Sequence, residues 1–213
     1  MPQQSSQAAI HQPAQATSST NALKYVKSLV PKALASQDGY KRSKFSSSWG
    51  RINMKTSSGT TRACDLRNYI LTRDLTNITR RASDWCIVET GVLKDPYTAK
   101  TIKFVRGVKT SSAVQIDHVV ALSNAWKTGA QKISETSRYQ IANDPLNLLA
   151  VDGPTNAAKS DKDASMFLPR LAYQCKYVAR QLSVKRKYNL WVTTAEKTKM
   201  VRVLSSCPKQ TLP

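Results

Sequence analysis

The chain has 213 residues, 40% of them apolar, enough for one ordinary domain with a real core. No apolar run approaches the ~20 residues that a membrane-spanning helix needs. Lys and Arg number 33 against 13 Asp and Glu, a net charge of +20 with a pI near 10.1, so the natural partners are polyanions, nucleic acid or an acidic membrane surface. The plainer alternative is a soluble basic protein with no such partner.

Residues 1–23 contain no Asp, Glu, Lys or Arg and are rich in Gln, Ser, Ala and Thr. This composition has too little apolar surface for a packed core and predicts a disordered arm that includes His11. The rest, residues 24–213, reads as one domain whose only histidine is His118. The amino terminus shows no basic segment followed by an apolar stretch, so no intact signal peptide is visible.

Leu23, Val26, Val30 and Leu34 recur at helical spacing, and Pro31 within that run predicts a bent or divided helix. The Ser- and Gly-rich stretch SSSWGRINMKTSSGTTR is expected to be loop. Cys64–Leu75 has Leu66 and Ile70 on one helical face. Beyond Asp84, the segments CIVETGVL, TIKFVRG and AVQIDHVVAL are β-branched and predict short strands. Helices are expected at Leu122–Thr128 and Glu135–Ala142, then a strand at Asn147–Val151. A turn at Asp152–Pro154 and a helix from Thr155 follow. In the C-terminal third, Leu171, Cys175, Val178 and Leu182 share a helical face. Thr193 and Glu196 form a capping-box pair ahead of Met200, Val203, Leu204 and Cys207.

The four cysteines are Cys64, Cys86, Cys175 and Cys207, with no C-x-x-C pair, which argues against a zinc ribbon or a thioredoxin site. An even count spread through the body suits two disulfides in an oxidising compartment. Three pairings exist. Proximity favours Cys64–Cys86 and Cys175–Cys207, and four buried free thiols are the alternative.

The informative stretches are QIDHVVAL and DPLNLLAVDGPTNAAKSDKD. An apolar strand delivers Asp117 and His118 together, Asn147 opens a second strand, and a helix follows with Asn156 and Lys159. Neighbours on a strand point to opposite faces, so Asp117 and His118 can serve one site only if the strand ends or bends there. Phosphodiester hydrolysis needs an activated water, stabilisation of added negative charge and help for the departing oxygen. A neutral imidazole is a suitable base, a carboxylate and an amide oxygen are hard ligands for magnesium, and a lysine offers phosphate a point charge. Asp161 and Asp163 read as capping or solvated residues. Trp126, Trp191 and Tyr173 suit core packing better than base stacking.

A DH pair followed by an apolar residue, N-L-L in a second strand and N-x-x-K on a helix resembles the ββα-metal motif of HNH nucleases. The blocks CDLRNYILTRDL, DPYTAKTIKFVRG, IDHVVALSNAWKTGA and NDPLNLLAVDGPTNAAKSDKDASMFLP are similar to secreted bacterial HNH-family proteins related to the C-terminal domain of GmrSD-type restriction endonucleases. The similarity runs from about Tyr40 to Cys207. It implies an α+β fold with a small ββα-metal core at about 113–163, surrounded by helices. By the same resemblance His118 matches the general base, Asp117 a metal ligand, and Asn147 the asparagine that braces the motif and orients the base. Asn156 falls where many HNH enzymes carry a final histidine ligand, and Lys159 matches the basic position after it; Asn156 as a simple helix N-cap is the structural alternative. Arg67, Arg73 and Arg106 lie in the similar blocks and are candidates for phosphate contact. The activity implied is a secreted, largely sequence-nonspecific endonuclease using one Mg²⁺ or Mn²⁺ and leaving 5′-phosphate ends on DNA, with RNA as a second substrate. Two rivals stand beside it: a non-catalytic nucleic-acid-binding protein, and a toxin that uses the same site and has an immunity protein as partner.

Overall fold

A computed structural model describes residues 20–213. The predicted arm lies outside the described residues up to residue 19. Thr20–Leu23, read as its end, belong instead to the folded body. Asn21 caps α1 (Ala22–Ser28) by accepting from Lys24 N at 2.9 Å and bridges to Thr211, and Ala22 is fully buried. The helix stops at Leu29, because Pro31 forces Val30 toward extended backbone. The predicted second half of that helix is extended chain, tied by Lys32 N to Val192 O and by Ala35 N to Lys127 O.

The Ser- and Gly-rich stretch expected as loop is a hairpin of β1 (Arg51–Lys55) and β2 (Thr61–Asp65), Ile52 opposite Cys64. Its alternation of Arg51, Ile52, Asn53 and Met54 is the strand signal, masked by the serines on either side. Asp65 then caps α2 (Leu66–Asp74) through Asn68 N, burying Leu66, Ile70 and Leu71. β3 (Leu75–Arg81), which the sequence reading missed, pairs with β4 (Asp84–Lys94), and β4 with β5 (Thr101–Val105), all antiparallel. Cys64 and Cys86 are bonded, clipping the first hairpin to this three-stranded sheet.

β6 (Val114–His118) and β7 (Leu148–Asp152) form a separate antiparallel pair. Between them run α3 (Leu122–Lys127) and α4 (Glu135–Asn143), close to their predicted positions. All five residues of β7 are buried. Leu148 and Ala150 pack with α2 and the three-stranded sheet, whereas Leu149 and Val151 face the C-terminal helices, the period-two division of a two-faced strand.

α5 (Gly153–Lys159) follows β7 directly, and α6 (Gln174–Lys187) and α7 (Thr194–Ser205) close the fold. The capping box of Thr193 and Glu196 is present on α7, and Cys175 is bonded to Cys207. Val178 and Leu182 are fully buried, but Leu171 is 82% exposed: it lies in a 3₁₀ turn before α6, off the face it was assigned to. Trp126 is buried as expected, in a cluster with Phe45 and Tyr188. The result is an α+β fold, with seven helices and three small sheets among the described residues and both disulfides formed.

Two arginines gather the carbonyls that lead into β7. Arg73 of α2 donates to Pro145 O and Leu148 O, and Arg180 of α6 donates to Pro145 O, Leu146 O and Leu148 O.

Candidate active site

The strand pair sets His118 opposite Leu148 and Asp117 opposite Leu149. α5 starts at Gly153, so the predicted turn is the helix's first turn: Asp152 accepts from Thr155 N, and Pro154 sits where an absent N–H costs nothing. Gly153 is required by contact, since a Cβ there would lie 2.0 Å from Ser112 O. Asp152 holds the cap, so Asn156 is an interior residue of α5 and not its N-cap.

His118 ends β6 and is 7% exposed. Its Nε2 lies 2.9 Å from Ala142 O. A carbonyl oxygen can only accept, so the proton is assigned to Nε2 and the lone pair to Nδ1. Among the described residues Nδ1 has no protein partner, and it is not one of the buried unpartnered atoms, so it opens to solvent. Burial pushes the imidazole from 6.5 down to about 3 against the pull of the Ala142 hydrogen bond, and the charges of Arg42 and Lys159 act in the same direction as burial. The ring is therefore neutral at pH 7. Trp49 lies parallel to it, 7° between planes and 6.2 Å between centroids.

Asn147 is fully buried and braces this arrangement. Its Oδ1 accepts from Val120 N at 2.8 Å, its Nδ2 donates to Val120 O and Ile141 O, and its own carbonyl accepts from Val119 N. The turn after His118 and the residue before Ala142 are thus fixed by one amide. The Asn147 side chain bonds only backbone groups.

Asp117 turns the other way, as strand alternation demands. Its Oδ2 accepts from the Tyr97 hydroxyl at 2.6 Å and its Oδ1 from Lys159 Nζ at 2.9 Å, all within the interior. Burial raises the carboxyl above its ordinary range, and Lys159 and Tyr97 pull it back. Lys159 also donates to His118 O at 2.9 Å and is fully buried. The expectation that Lys159 offers its charge to phosphate does not match this geometry: the ammonium faces Asp117 and the end of β6.

Asp117, His118 and Asn156 nonetheless meet in one cleft of about 320 Å³, with Arg42, Gln115 and Ser160. The strand ends at the pair, which lets opposite-facing neighbours border one space. Asn156 Nδ2 donates to Gln115 Oε1 at 2.8 Å, which orients the amide and leaves Oδ1 with no protein partner. Among the described residues no group of three or more His, Cys, Asp or Glu side chains could hold a metal ion. A hard cation such as Mg²⁺ takes only one or two protein oxygens and keeps its waters. The oriented Asn156 Oδ1 suits that role. Asp117 uses two of its roughly four lone-pair sites and keeps the others.

Two of the three candidate phosphate arginines have other duties. Arg73 chelates Asp74 as well as Pro145 O and Leu148 O, and Arg106 donates to Val88 O and Asn68 Oδ1, so neither guanidinium is free for phosphate. Arg67 is half-buried, and burial together with Arg106 disfavours its charge. Asp161 accepts from Ser123 and Lys127, and Asp163 is buried and accepts from Ser165 N. Sequence reasoning missed Tyr97, which the β4–β5 turn delivers, and Arg42, Trp49 and Gln115. Of these, only Gln115 and Tyr97 carried a signal, through the strand and the DPYT block that hold them.

A protein of Arthroderma benhamiae described as an "uncharacterized secreted protein" is 38% identical over 174 residues, spanning 80% of this chain and 77% of that one. No solved structure matches. The model of the family "GmrSD restriction endonucleases, C-terminal domain" matches residues 65–203, which takes in β6, β7, α5 and every residue of the cleft except Arg42. The chain belongs to that family.

Proposed function

We propose that this protein is a secreted endonuclease of the HNH type, which hydrolyses phosphodiester bonds in DNA, and in RNA as a second substrate, with His118 as general base. Family membership supports nuclease chemistry, and the relative's name together with the two disulfides supports secretion. The observation that carries the reading is the His118 ring, held by Nε2 on Ala142 O with Nδ1 left without a protein partner among the described residues, in a residue that lines the same cleft as Asn156.

His118 Nδ1 takes a proton from water as the water oxygen attacks phosphorus. The bond from phosphorus to the 3′ oxygen breaks, solvent protonates that oxygen, and the products carry 5′-phosphate and 3′-hydroxyl ends. His118 then returns its proton to solvent. Asn147 keeps the Ala142 carbonyl in place, and Lys159 with Tyr97 fixes Asp117 at the end of β6. A divalent cation, Mg²⁺ or Mn²⁺, held by Asn156 Oδ1 and Asp117 would stabilise charge on the phosphate and the leaving oxygen.

The test is plasmid cleavage in Mg²⁺, with and without chelator, by the parent and by His118→Ala. Cleavage by the parent is expected to need the metal, and the variant is expected to be inactive while folding and binding DNA normally. Parental turnover by His118→Ala at neutral pH would sink the mechanism.

A further inference from the structure

Three clefts meet along β6. The His118–Asn156 cleft shares Arg42, His118 and Leu122 with a second cleft of about 250 Å³, bounded by the Ser46–Trp49 loop and Ala142. On its other side it shares Gln115 with a third, of about 540 Å³, which Lys103 and Lys109 line. Through these shared residues the three clefts adjoin in series as a groove, and His118 lines two of its stretches.

The charges in this groove are one-sided. Among the described residues Asp117 is the only acidic one that lines it, and its charge is offset by Lys159 Nζ, 2.9 Å from Oδ1. Arg42, Lys103 and Lys109 are exposed, and among the described residues their side chains make no ion pair or hydrogen bond. They differ in this from Arg73, Arg106 and Arg180, whose guanidiniums hold protein carbonyls. Arg42 lies near enough to His118 for its charge to oppose protonation of the ring. Trp49, parallel to that ring, offers an indole wall at the same end.

We propose that one nucleic-acid strand lies along this groove, with Arg42 holding the phosphate at His118 and Lys103 and Lys109 holding phosphates beyond Gln115. Trp49 gives the nucleotide on the Arg42 side a surface to stack on. The assignment rests on the nuclease reading for its chemistry, but its own content is a binding path. It adds cations that the fold leaves unpaired to the sequence candidates, of which Arg73 and Arg106 hold protein carbonyls.

The experiment measures binding of a fluorescent phosphorothioate single strand of about 15 nucleotides, which keeps the backbone charge, over roughly 50–200 mM monovalent salt. Each lost phosphate contact flattens the plot of log affinity against log salt by about 0.7 for a single strand. Lys103→Ala/Lys109→Ala is therefore expected to flatten it by about 1.4, and adding Arg42→Ala by about 2.1. Arg202→Ala/Lys209→Ala removes two exposed charges that line none of these clefts, and is expected to leave the slope unchanged. A parental slope in the groove variants, an equal flattening in the control pair, or a parent that binds duplex and not the single strand would each overturn the proposal. Binding is read without turnover, so a parent protein that cleaves nothing would sink the nuclease reading and leave the groove standing.

Discussion

Lys159→Met is the most informative single change in this molecule. The ammonium it removes is fully buried and donates to Asp117 Oδ1 and His118 O, each at 2.9 Å. What remains is a carboxylate 4% exposed, with Tyr97 as its one hydrogen-bond donor. Removing one partner of a buried pair costs about 3–5 kcal/mol, because the other charge is left uncompensated. A domain of this size loses about 2–4 °C of Tm per kcal/mol, so the non-reduced variant should melt about 6–20 °C below the parent. Lys159→Met/Asp117→Asn, which removes both charges, should regain more than half of that. The loss should also shrink on acidification. Burial raises the folded carboxyl above its ordinary 3.8, and a group with a raised folded pKa stabilises below its unfolded value and loses that contribution as pH rises. The parent–variant gap is therefore expected to be smaller near pH ~4 than at pH ~7. Thermal melts by circular dichroism at both pH values decide the matter. A Lys159→Met protein that melts with the parent, and loses only nucleic-acid affinity and salt dependence, would refute the buried-pair account and restore the lysine to phosphate.

With His118 pushed down to about 3, the folded protein resists protonating its base; the acid limb of kcat/KM should fall well below pH 6.5, and an inflection at 6.5 would contradict it. Asn156→Ala should lose cleavage while keeping affinity for nucleic acid, Asn156→Asp should keep part of its Mg²⁺ or Mn²⁺ activity, and Asn156→His should shift preference toward Ni²⁺ or Zn²⁺. Parental cleavage by Asn156→Ala across a metal series would remove Asn156 from the metal site. Disulfide loops of 22 and 32 residues correspond to about 3–4 kcal/mol each in the chain-entropy model, so reduction should lower Tm sharply; a melting curve unchanged by reductant would count against that.

The parts of this fold that could be read from the sequence are those set by local pattern. The strands and helix of the ββα unit, the capping box at Thr193 and the pairing of the cysteines follow from apolar β-branched runs, cap chemistry and spacing. The β1–β2 hairpin and β3 escaped because short strands with exposed faces carry weak periodicity, and serines blurred the first. At the site, residue types grouped Asp117, His118, Asn156 and Lys159, and the family resemblance added Asn147, but neither said which way each side chain faces. Lys159 looks like any surface lysine until Tyr97, some 60 residues upstream by number, closes the pocket around Asp117. Arg42 and Trp49 had no local mark at all. They reach His118 only because the chain before β1 is folded back over the end of β6.

The paired guanidiniums at residues 145–148 bear on how this centre would fail. They come from two helices on opposite sides of the β6–β7 pair, and between them they hold the carbonyls of Pro145, Leu146 and Leu148. Arginine carries five N–H donors in a rigid planar fork, so one guanidinium holds several acceptors in fixed directions, where a lysine ammonium is a point charge on a flexible stem. The alignment of Asn147, and through it the carbonyl that holds the His118 ring, is thus tied to these two guanidiniums. Heat that loosens α2 or α6 would dismantle this frame and release the His118 ring without altering any side chain of the cleft.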